Sequence, residues 1–219
     1  VLRYLNALCS TGYAYQDPNT GNYALTWKIC CIGHDTQNTG TLRNIVSPYL
    51  NKLAQLLNIG TLLSTESSGD IAYLDMVLNP ANSMETMLRI GKDAPMHTIA
   101  SGKVLLSRYT QAQIRAIVEE KGLLQLTENT ITDLNLLISE ILDVRDKGYA
   151  FDNEECEIGH RCISVPLYDY TGKITAAISA FDVTEALPDD RITQTVLPTL
   201  KKAAQEISYL LGYNSGARP

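Results

Sequence analysis

The chain has 219 residues, 45% of them hydrophobic and 19% charged, the balance of a globular protein with a sizeable core. Its apolar runs, such as Val104-Leu105-Leu106, fall far short of a membrane span, and no basic-then-apolar leader opens it, so no membrane partner is expected. The formal net charge is −6; Arg3 and Lys28 against Asp17 leave residues 1–33 at +1, so the remaining 186 carry −7, and any contact with phosphate is confined to the N-terminus.

Residues 1–10 place Val1, Leu2, Leu5 and Leu8 at helical spacing, with Arg3 and Asn6 on a polar face. There is no initiator Met, and Val1 to Leu5 reads as the inside of a helix, so a fragment is expected. Gly12 stops this helix, 13–16 alternates as a strand, 17–21 is a turn, and 22–25 returns as a second strand. A short apolar helix is predicted over 27–33 and a polar link over 35–41. A stripe of Ile45, Tyr49, Leu50, Leu53, Leu56 and Leu57 predicts an amphipathic helix with Pro48 in its first turn.

Residues 61–77 read as a hairpin turning at Ser67-Ser68-Gly69-Asp70, followed by a weaker segment over 83–90. Thr98 is placed as the cap of a helix running to Arg108, and further helices span 111–121 and 132–147. Strands are predicted over 149–153, 162–169 and 173–182, then a last helix from Pro188-Asp189-Asp190 to Leu211. Strands arranged as hairpins make a mostly antiparallel sheet, and with the flanking helices the fold class is α+β.

The five cysteines, Cys9, Cys30, Cys31, Cys156 and Cys162, are odd in number and form no CxxC pair, which indicates reduced thiols in a cytoplasmic protein. Reactive side chains gather at Asp152, Glu154, Glu155, Cys156, Glu157, His160 and Cys162. Four readings compete. A metal could take His160, the carboxylates and His97, though metal sites usually cluster their histidines. Cys162 could be a nucleophile activated by His160, which would make the protein a cysteine-dependent enzyme, but no third residue orients the base. The acidic run could be a solvated loop and Cys162 a small buried residue. Finally, with Tyr170 and Thr171 as turn residues, Cys162 lies opposite Ser179 on one face, Asp152 reaches the same space, and the small residues opening the helix at Ala100-Ser101 leave backbone N–H groups free. That arrangement suits a small organic acid and needs no cofactor.

Three segments carry a resemblance. Residues 91–106 (GKDAPMHTIASGKVLL), 147–155 (KGYAFDNEE) with 159–166 (GHRCISVP), and 176–179 (AAIS) resemble motifs of the IclR family of bacterial transcriptional regulators. The helix at 1–10, Gly12-Tyr13 and Asn22 to Thr26 resemble that family's recognition helix and wing. The resemblance implies the C-terminal remnant of a winged helix-turn-helix over 1–26, a linker over 27–40 and a GAF-like effector domain over 41–219. It implies a ligand-responsive repressor, not an enzyme, working on operator DNA as a homodimer or homotetramer. The family's ligand positions fall on Ala100, Ser101, Asp152, His160, Cys162 and Ser179, and Arg3 becomes a candidate DNA contact. A small organic or sugar acid is the implied effector, with no metal and no cofactor. Two positions depart from the family: Phe181 stands where a second serine is common, and His160 where an aliphatic residue is usual. The family's first helices have no counterpart here, so weak operator binding is expected of this chain alone.

Overall fold

The structure is a computed structural model that describes residues 2–18, 20–26, 28, 42–79 and 93–214. It divides into two units, Val1–Asn44 and Ile45–Pro219. The helix expected over 27–33 (Lys28 apart), the link over 35–41 and the segment over 83–90 lie outside the described residues.

In the first unit, α1 (Leu2–Ser10) ends where Gly12 adopts φ +77°, with the Tyr13 amide donating back to the Leu8 carbonyl at 2.9 Å. Strands β1 (Ala14–Gln16) and β2 (Tyr23–Leu25) pair antiparallel, Ala14 opposite Leu25. The Thr26 hydroxyl donates to the Gly12 carbonyl at 2.6 Å and Lys28 Nζ to the Thr11 carbonyl at 2.7 Å, tying the second strand to the end of the helix. No residue of α1 is buried, and Arg3 is exposed on it.

The second unit opens within α2 (Leu42–Leu57), which begins earlier than expected, so Pro48 lies in its interior and not its first turn. The Asn51 side chain donates to the Ser47 carbonyl at 2.8 Å beside this proline. Val46, Leu50, Leu53, Ala54 and Leu57 form the buried stripe, while Leu56 is 67% exposed, displaced from it by the helix's actual phase.

Strands β3 (Gly60–Ser67) and β4 (Asp70–Val77) form a hairpin whose two turn residues, Ser68 and Gly69, both have positive φ, 54° and 81°. That is the turn whose twist matches the strands. Strand β5 (Asp93–Pro95) leads through a 3-10 turn, Met96–Thr98, into α3 (Ala100–Leu106). Thr98 does not cap this helix: its hydroxyl donates back to the Pro95 carbonyl at 3.0 Å, Ile99 takes the cap position, and the helix stops at Leu106. Helix α4 (Gln111–Lys121) starts from a capping box of Thr110 and Gln113. Helix α5 (Leu134–Lys147) starts on Asp133, whose carboxylate accepts the amides of Asn135 and Leu136, and ends at Gly148.

Strands β6 (Ala150–Asn153), β7 (His160–Tyr168) and β8 (Ile174–Val183) complete a six-stranded sheet of order β5-β4-β3-β8-β7-β6, antiparallel throughout. A short helical turn α6 (Asp189–Arg191) and a π turn (Ile192–Val196) run into α7 (Leu197–Leu210), which packs on β7. Strand β8 sits inside the sheet, and Ala176 to Ala180 are buried without a break. Small residues suit a strand with both faces covered. Cys162, Ala177 and Phe181 pack with the cluster formed by α3 and α5.

Candidate ligand-binding site

Asp152 lies on β6 directly across from Cys162 on β7. Its Oδ1 accepts the backbone amides of Glu155 at 2.9 Å and Cys156 at 3.3 Å, which folds the acidic run back on the strand end. Glu154 at φ +64° and Gly159 at φ +81° turn the connection, and Thr127 and Thr130 donate to the carbonyls of Glu154 and Glu155 at 2.7 and 2.6 Å. The acidic run is therefore not a solvated loop. Glu155 is buried, and its Oε1 meets Lys103 Nζ at 2.5 Å.

Lys103 is almost fully buried in α3, and its ammonium also reaches the Phe151 carbonyl at 3.0 Å and Glu140 Oε1 at 3.3 Å. It lies there because α3 rides close on the turn before it: a side chain on Gly102 would begin 2.0 Å from the Met96 carbonyl oxygen. Burial raises the Glu155 carboxyl above its ordinary range, with the Lys103 charge opposing it. Burial likewise pushes Asp152 up to about 7, the Glu155 charge adding to the effect and the two amides and Lys103 working against it.

The β7–β8 register differs from the one expected. The loop holds three residues, Tyr170 to Gly172, with the Asp169 amide donating to the Lys173 carbonyl, and a bulge interrupts the ladder at Leu167/Tyr168. Cys162 therefore faces Phe181, and Ser179 faces Ser164. Each irregularity shifts the pairing by one residue, so Cys162 and Ser179 keep a common face but stand two positions apart.

A cavity opens at this end of the sheet, lined by Ser101, Asp152, His160 and Cys162. Leu62, Tyr73, Ile99 and Phe181 give it a largely apolar wall, and Cys156 and Glu157 also border it. Its volume is about 70 Å³, room for roughly five waters or a molecule of that size. Ala100 and Ser179 do not line it. Both are fully buried, Ala100 in the core and Ser179 donating to the Ser164 hydroxyl at 2.9 Å. His97 lies apart, bonded through Nε2 to the Leu124 carbonyl at 3.0 Å, and burial lowers its pKa. Among the described residues no three His, Cys, Asp or Glu side chains stand where one metal ion could be held. Nor is any described helix long and apolar enough to cross a membrane.

Residues 35–209 match the family model for the C-terminal domain of the bacterial transcriptional regulator IclR. The chain is an IclR-family transcriptional regulator. The regulator is 31% identical over 223 residues to the DNA-binding transcriptional repressor YiaJ of Escherichia coli, covering 97% of this chain and 76% of that protein. Its structure is similar to that of Thermotoga maritima IclR, with a TM-score of 0.75 at 27% identity over 96% of this chain and 84% of that one. It is also similar to the inducer-binding domain of a double mutant of PobR from Acinetobacter in complex with 3-hydroxybenzoic acid, with a TM-score of 0.71 at 26% identity over 76% and 97% of the two chains. The sequence relatives are regulators of transcription, not enzymes, and so is this protein.

Sequence reasoning missed Tyr73, Leu62 and Ile99 as walls of the regulator's cavity, because each reads as an ordinary core residue. Gly60 carried a usable signal. A glycine opening a strand marks a place where another group comes close, and Phe181 is that group.

Proposed function

We propose that this regulator is a ligand-responsive repressor whose domain over 41–219 binds a small organic or sugar acid and thereby alters operator binding. Residues 1–26 are the end of a winged helix-turn-helix, with Arg3 touching DNA, and 27–40 link it to the effector domain. The protein works in the cytoplasm as a homodimer or homotetramer. One observation carries the reading: a small cavity with mainly apolar walls into which Ser101, Asp152, His160 and Cys162 bring a few polar groups, the usual make-up of a small-molecule site. Ala100 and Ser179 support that site from behind its walls. The similarity to an inducer-binding domain solved with 3-hydroxybenzoic acid agrees with an acid as the ligand.

For the ligand to act, it must prefer one arrangement of the protein by several kcal/mol. A thermal-shift screen of the chain against keto, hydroxy and sugar acids tests the proposal. A ligand at a hundredfold excess over its dissociation constant adds ~2.7 kcal/mol to the folded state, a clear rise in melting temperature. The rise is expected to disappear in Asp152→Ala. A screen without a single shifted acid would remove acids as the effector class.

A further inference from the structure

The polar groups of the cavity differ in what they offer a ligand. Asp152 Oδ1 is occupied by two backbone amides, while its Oδ2 takes no hydrogen bond among the described residues, in a side chain that lines the cavity. A carboxylate oxygen in a mostly apolar cavity calls for a donor, since desolvating it unpaired is costly. A second carboxylate brought there meets like charge, and a ketone brings only acceptors. Across the site stands His160, in line with Cys162 on the same face of β7 and diagonal to Asp152. Its Nδ1 is buried without a hydrogen-bond partner among the described residues and lies 3.8 Å from Glu157 Oε1. An imidazole N–H is a donor to an anion brought against it.

We infer that the cavity is built for a short hydroxy acid, held with its hydroxyl donating to Asp152 Oδ2 and its carboxylate against His160. This deepens the proposed role of the site and rests on it. Burial is the largest influence on Asp152 and opposes its ionised form, with the Glu155 charge adding to that; Lys103 from α3 and the two amides of its own turn favour the ionised form, which prevails above about pH 7. Asp182, Glu157 and Arg161 also line the cavity, the Arg161 guanidinium already donating to Asn153, the Leu187 carbonyl and Asp189, and His160 is the cavity's one imidazole among the described residues. Diagonal neighbours on paired strands are about 7–8 Å apart, a span that a molecule carrying a hydroxyl next to a carboxylate bridges with a hydrogen bond at each end. A volume of about 70 Å³ also sets the scale at a few heavy atoms.

Calorimetric titration of the chain at pH 8, above the value of about 7 to which Asp152 is pushed, with glycolate, lactate and glycerate, each set against acetate, pyruvate and propionate, tests the inference. The hydroxy acids are expected to bind roughly tenfold tighter or more, because a site that bonds a hydroxyl rejects the analogue lacking it. Asp152→Asn keeps an Oδ1 for the two amides and removes the anionic acceptor, so the preference should shrink to about threefold or less. His160→Leu should weaken all six acids together. Pyruvate binding as tightly as lactate, or an unchanged preference in a folded Asp152→Asn, overturns the hydroxy-acid assignment while leaving an acid sensor intact. If Asp152→Asn does not fold, the comparison of ligands on the parent chain decides. Six acids that all fail to bind would overturn the short hydroxy acid and leave the wider acid reading to the thermal-shift screen.

Discussion

Phe181 covers Gly60 across the β3–β8 ladder, its ring tip 2.5 Å from the point where a side chain on Gly60 would begin. The ring needs the glycine, and together they set one wall of the cavity that Cys162 and Asp152 share. Gly60→Ala should turn the ring aside and cost about 1–3 kcal/mol, with weaker acid binding. In a Phe181→Ala background, Gly60→Ala should cost little more than Phe181→Ala alone, because the two residues share one contact. Thermal melts of the two single variants and the double variant check this; strictly additive losses would show that the ring does not depend on the glycine.

Lys103 and Glu155 form a buried ion pair at 2.5 Å, with Glu155 Oε2 lacking a partner among the described residues. Lys103→Met alone strands the carboxylate and is expected to cost about 3–5 kcal/mol. Lys103→Met with Glu155→Leu removes both charges and should come much closer to the parent, since apolar replacements of buried pairs are often neutral. Urea denaturation of the three proteins measures the difference.

Gly102 permits α3 to sit against the Met96 carbonyl, a backbone atom that cannot swing away. Gly102→Ala is expected to lose about 3 kcal/mol or more, or to leave no folded protein in the soluble fraction. Because α3 carries both Ser101 and Lys103, any folded Gly102→Ala should also bind acids poorly. A parent-like melting temperature would mean that the helix can lift off its turn without cost.

Asp152 holds its proton up to about pH 7 in the folded chain but releases it near the ordinary 3.8 when unfolded. Between those values the folded state binds more protons than the unfolded state, so the stability this group contributes is present at low pH. It is lost as pH rises from about 4 to about 7, by ~4 kcal/mol at full effect. Glu155, also raised, adds a slope of the same sign. Asp152→Asn should flatten the fall. Chemical denaturation of both proteins from pH 5 to 8 reads it directly; parallel curves would place the cause elsewhere.

Several elements were legible because their signals are local. Ser68-Gly69 set the β3–β4 turn by their positive φ, Thr110 and Gln113 start α4, and Asp133 and Gly148 bound α5. The motifs at 91–106 and 147–166 identified the family from side-chain order alone, and Asp152, His160 and Cys162 stood out as residues able to meet a ligand. Tertiary structure decided the rest. The length of the β7–β8 loop and a bulge at Tyr168 moved Ser179 away from Cys162, which no propensity reports because register depends on how the whole ladder closes. Pairing across 37 and 52 residues took Glu140 and Glu155 to Lys103 and turned an acidic run into a buried network. The cavity itself arises where β3, β4, β6, β7, β8 and the start of α3 meet, so its walls are a property of packing between distant segments. Sequence alone determined which chemical groups this protein has to offer; the fold decided which of them face a common space, because burial and strand register are set by contacts that sequence neighbours do not share.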